Sequence, residues 1–85
     1  MIVKLPKGVF VDLYDATSVT VGNVLAVTNV AGADVQLFAT AAEPVTGDDF
    51  FPCLFRHNTV NNELGDAGAW AICYAGGAVD AREVV

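Results

Sequence analysis

No stretch of this chain keeps apolar residues at i, i+3, i+4 and i+7 through three turns, and this missing helical period most restricts what it can fold into. Short β-branched or aromatic runs alternate instead with clusters of glycine, asparagine and aspartate, which punctuate strands and turns. No linker, charge block, low-complexity tract or internal repeat divides the sequence. Residues 1–85 therefore read as a single β domain, with residues 1–7 as an extended N-terminal lead-in. The predicted class is all-β: a compact antiparallel β-sandwich or barrel-like domain of about six or seven short strands.

The segments can be read in order. In "GVFVDLYDA", Val9, Val11 and Leu13 alternate with Phe10, Asp12 and Tyr14, which predicts a half-buried strand. "SVTVGN" holds the next turn. "VLAVTNV" and "DVQLFAT" flank "AGA", predicting a hairpin near Ala31 and Gly32 that sets Thr28 against Val35, Ala26 against Leu37 and Leu25 against Phe38. "AAEPVTGDD" and "NNELGDAG" are polar loops. Between them, "FFPCLFRHNTV" carries Pro52, which cannot donate a ladder hydrogen bond and confines that strand to an edge, a strand start or a bulge.

Near the end, Gly76 and Gly77 suit a two-residue hairpin turn, since glycine accepts the positive φ such turns need. That register opposes Tyr74 to Val79 and Cys73 to Asp80. Trp70, Ile72 and Tyr74 then share one face with Val79 and Ala81, and this bulky face is expected to anchor the core. Ala71, Cys73, Ala75, Asp80 and Arg82 occupy the other.

A chain of 85 residues buries a thin core, yet 54% of these residues are hydrophobic and only 16% are charged. The apolar excess points to contacts with other copies or with a partner. A net charge of −6 removes the electrostatic footprint that a phosphate backbone requires, so nucleic acid is excluded as a partner and an anionic membrane surface is disfavoured. Lys4, Pro6 and Lys7 interrupt the opening before a leader could form, and the reading is of a soluble protein whose Cys53 and Cys73 are reduced thiols.

Candidate chemistry is sparse. Cys53, His57 and Cys73 are the soft ligands and nucleophiles available, but no knuckle spacing supports a metal site, and nothing beside "AICYA" would activate a thiolate. A thiol or metal-dependent enzyme stays a remote alternative. Glu43, Asp48 and Asp49 read as a solvated turn rather than as an acid-base pair or a calcium loop. Phe50, Phe51 and Phe55 crowd six residues of an edge strand and cannot all point inward. With Pro44, Asp48 and Asp49 they are the partner-contact candidates. No catalytic residue, metal or cofactor is assigned.

Taken in order, "LYDATSVTVG", the Asn29-to-Leu37 pattern N-x-x-x-x-x-V-x-L, the proline-bearing "AAEP" loop and the closing "GAWAICYAGGAVDAREV" resemble a group of small bacteriophage virion structural proteins. The resemblance spans roughly residues 9–84. It implies a small β domain, commonly a homotrimer, attached to the major capsid protein or to tail proteins. It implies a location in the virion after assembly in the bacterial host cytoplasm, and no catalytic residue. On it, the expected function is non-enzymatic capsid decoration or cement, with a tail or head-fibre accessory subunit of adhesin-like type as the alternative.

Overall fold

The computed structural model describes residues 1–45, 47–56 and 58–84. Among these the chain forms β1 (Ile2–Leu5), β2 (Val11–Asp12), α1 (Leu13–Thr17), β3 (Leu25–Asn29), β4 (Val35–Phe38), β5 (Phe51–Cys53), β6 (Thr59–Asn61), β7 (Trp70–Ile72) and β8 (Gly77–Glu83). They assemble into two four-stranded antiparallel sheets, the first in the order β1-β8-β3-β6 and the second in the order β2-β7-β4-β5. The predicted all-β sandwich is present. Its strands number eight among the described residues, above the six or seven expected, because β2, β5, β6 and β7 are pieces of two or three residues.

One core lies between the sheets. Val3, Leu5, Leu25, Val27, Val79 and Ala81 come from the first sheet. Val35, Leu37, Cys53 and Ala71 meet them from the second, joined by Cys73 just beyond β7 and by Leu13 and Tyr14 of α1. Alternation along each strand sends the intervening residues to the two outer faces.

Both expected hairpins are corrected by the sheet topology. β3 pairs with β8 and β6, whereas β4 pairs with β7 and β5, so residues 30–34 cross between sheets rather than turning within one. Asn29 is the physical cause. Its fully buried side chain accepts the Ala31 N–H at 2.7 Å and donates to Ala33 O at 2.9 Å and Cys53 O at 2.8 Å, tying the crossing to β5 of the opposite sheet.

Gly76 and Gly77 also make a crossing. β8 has both edges filled, by β1 and β3, and leaves nothing for β7 to pair with. Gly76, at φ +80°, closes a turn by donating its N–H to Cys73 O at 3.0 Å. Gly77 passes so near the other crossing that a Cβ there would stand 2.3 Å from the Ala31 Cβ. Two arches thus press together, and glycine is what lets them meet.

The crossing also inverts the expected faces. Ala71 and Cys73, fully buried, point into the core, where their small size lets the sheets approach. Trp70 and Ile72 face outward, paired across the sheet with Phe38 and Gln36. Tyr74, expected as a core anchor, is 55% exposed, while Ile72 is nonetheless buried in a second layer.

The strand predicted over residues 8–16 shrinks to Val11–Asp12 because Asp12 caps a helical turn. Its carboxylate accepts the N–H groups of Tyr14 at 3.0 Å and Asp15 at 3.2 Å, and Ser18 ends the turn in the left-handed region. Leu13 and Tyr14 are both buried, which two successive residues of a half-solvated strand cannot be. Pro52 sits where its chemistry requires. β5 is an edge strand of the second sheet, with Pro52 opposite Gln36.

Candidate functional site

The two outer faces of the sandwich differ in kind. On the first sheet, Lys4, Thr28, Thr59, Asp80 and Arg82 make a largely polar outer surface beside the exposed Ile2, and Thr28, Thr59, Asp80 and Arg82 are paired across it. The Arg82 guanidinium lies 2.6 Å from Asp80, the Met1 amine 2.8 Å from the same carboxylate, and Thr28 and Thr59 share a hydroxyl hydrogen bond of 2.8 Å. Arg82 above all, then the Met1 amine, holds the Asp80 carboxyl below the ordinary aspartate range.

On the second sheet the outer face is aromatic. Phe10 meets Phe38 edge to face, with ring centres 5.4 Å apart, and Phe50 tilts against Phe38 at 6.1 Å. The segment ending at Phe50 returns across this face and leaves an open groove of about 520 Å³. Phe10, Phe38, Phe50 and Tyr74 line it, together with Gln36 and the carboxylate-bearing Asp48 and Asp49. Asp48 accepts the Val45 N–H at 3.0 Å, and the Asp48 N–H returns a bond to Val45 O at 3.1 Å, which closes the loop tightly at the groove rim.

The sequence-derived contact candidates fall in several places. Phe50, Asp48 and Asp49 come together in the groove. Phe51 alternates to the other side of β5, opposite Leu37, at the opening between the sheets. Phe55 lies beyond the strand with the Arg56 guanidinium 5.1 Å above its ring, and its N–H bonds Asp34 at 3.1 Å. Pro44 is buried and does not line the groove. Phe10, Gln36 and Phe38 complete the groove without having been singled out, together with Tyr74, which was expected in the core. For Phe10 the one signal was the alternation that set it opposite Val9 and Val11.

The thiols take no part in this site. Cys53 and Cys73 are free and fully buried. Burial pushes the Cys53 thiol up, the charge of Asp34 adds to the rise, and a backbone hydrogen bond from Asn29 opposes it in part. The thiol approaches Asn58 O at 3.3 Å and stays protonated near neutrality. The suggested Cys53 and His57 pair includes a residue outside the described ones. Among the described residues, no three His, Cys, Asp or Glu side chains converge on a metal position, and no helix is long and apolar enough to cross a membrane.

Comparison with protein families, with curated proteins and with solved structures finds no match to this chain. The functional reading therefore stands on the groove, the faces and the motif order.

Proposed function

We propose that this chain is a non-enzymatic structural subunit of a bacteriophage virion, a capsid decoration or cement protein that binds the shell and stabilises it through repeated protein-protein contacts. One observation carries the reading: the sandwich offers a largely polar face with Arg82–Asp80 and Thr28–Thr59 pairs on the first sheet and an open aromatic groove on the second. A subunit that must stay solvated on one side and adhere on the other needs this asymmetry, since aromatic side chains in a pocket are the commonest anchors of protein interfaces. Further apolar side chains stand exposed nearby in sequence, with Phe51 at 57%, Leu54 at 51% and Phe55 at 45%. These suit contacts between copies in a homotrimer. The order of turn and core motifs along the chain supports a phage origin, and the buried, protonated Cys53 supports a role without chemistry.

The test is a count. Purified particles of a phage encoding this chain, quantified by mass spectrometry against the major capsid protein, are expected to hold it in hundreds of copies. A complement near a dozen would favour the tail or head-fibre accessory reading. Complete absence from particles would remove the virion reading.

A further inference from the structure

We infer that the groove on the outer face of the second sheet takes an arginine side chain of a partner protein. The inference rests on that face being the attachment surface and adds its chemistry. Phe10, Phe38, Phe50 and Tyr74 alone would accept any apolar group. Asp48 and Asp49 in the same groove change the choice, because an aliphatic guest would strip water from two carboxylates and return no hydrogen bond.

A guanidinium satisfies both halves of the site. Its flat face stacks on the aromatic rings, and its edge presents paired N–H donors to carboxylates. A lysine ammonium is a compact, strongly hydrated charge that cannot stack and bridge at once. Gln36, on the floor, adds an amide oxygen as a third acceptor. The chain has little of its own to fill the site. Among the described residues, no lysine or arginine lines the groove; Lys4 and Arg82 lie on the first sheet, Lys7 packs beside Gly76, and Arg56 stacks on Phe55. A net charge of −6 draws a basic partner toward the molecule and speeds the encounter.

The experiment is an amide-resolved NMR titration of the ¹⁵N-labelled protein with the capped pentapeptide Ala-Leu-Arg-Leu-Ala, its neutral counterpart with citrulline in place of arginine, and a third with lysine there. The arginine peptide is expected to move the amide signals of Gln36, Asp49, Phe50 and Tyr74, and to bind about tenfold more tightly than the citrulline peptide. The Asp48→Asn/Asp49→Asn double variant, which keeps the loop's hydrogen-bonding geometry, is expected to lose the same factor while its melting temperature stays unchanged. Equal binding of the arginine and citrulline peptides, equal binding of the arginine and lysine peptides, or shifts confined to another face would each overturn the inference. No particle enters the titration, so the two readings fail separately. Particle attachment that survives the double variant at full strength removes the arginine inference alone, whereas arginine-selective binding by a protein absent from particles removes the virion reading alone.

Discussion

Replacing Asn29 with alanine tests the crossing that separates β3 and β4. The side chain is fully buried and makes three hydrogen bonds, to Ala31 N, Ala33 O and Cys53 O. Each contributes about 1 kcal/mol net, and the buried Cys53 carbonyl, left without its donor, adds an unmet cost of about 1–3 kcal/mol. The ends at Ala31 and Ala33 are only partly buried, so water can recover part of their loss. The sum is about 3–5 kcal/mol. A domain of 85 residues has a total stability of about 4–13 kcal/mol, so this one side chain decides whether much of the population folds. Urea unfolding followed by fluorescence of Trp70, the only tryptophan, reads the change directly. Thr28→Ala, one residue away on the polar outer face, serves as the contrast and should cost about 0.5 kcal/mol or little more. If β3 and β4 instead formed a single hairpin, Asn29 would sit at its mouth near solvent. A loss below about 1 kcal/mol for Asn29→Ala would then be expected and would refute the arch.

Other perturbations follow from the same contacts. Gly68→Ala places a Cβ 2.0 Å from Thr40 O, a backbone atom that cannot swing aside, and should cost about 1–3 kcal/mol in thermal melts; an unchanged melting temperature would contradict the close approach of Gly68 to Thr40 and Ala41. Asp80 has its carboxyl held low by Arg82 and the Met1 amine, so its contribution is present above the ordinary aspartate range and is lost as pH falls through the lowered value. Asp80→Asn should therefore differ from the parent at neutral pH and converge with it in strong acid, with a gap that salt narrows because the pair is at the surface. A gap that widens on acidification would reverse the sign. Both cysteines should resist iodoacetamide at pH 8 in the native protein and react promptly in urea, given their burial; rapid native alkylation would contradict it.

What could be read from the sequence was local. Pro52 announced an edge, "AAEPVTGDD" and "NNELGDAG" announced themselves as loops by composition, and strand alternation gave the all-β class. What could not be read was which sheet each strand joins. A glycine pair or an Asn-Val-Ala-Gly run serves a hairpin and an inter-sheet arch equally well, because both demand the same backbone freedom. The difference lies in partners distant in sequence: Cys53 O for Asn29, Ala31 for Gly77, β1 and β3 for β8.

The same limit explains the site. Bulk alone suggested that Trp70, Ile72 and Tyr74 face inward, but two sheets packed through Ala71 and Cys73 push the large side chains to the outer face. Once there, they meet Phe38 and join the groove wall at Tyr74. Phe50 was recognisable as a surface candidate because Phe50, Phe51 and Phe55 crowd six residues of an edge strand, and Asp48 and Asp49 because paired aspartates mark a solvated turn. Phe10 and Phe38 were not, since an aromatic in a strand looks the same on either face until the sheet order is known.

The central claim is that the aromatic face of the second sheet attaches this subunit to a particle. Its most direct test is occupancy on phage particles of a Phe50→Ala/Tyr74→Ala variant, both positions being well exposed and so removable with little loss of fold. The account predicts a cooperative melt lowered only by the lost Phe50–Phe38 contact, with copies per particle reduced at least about tenfold, the loss expected when two anchoring aromatics leave an interface. Full occupancy by this variant, with loss instead on altering the polar face at Thr28 and Arg82, would contradict it.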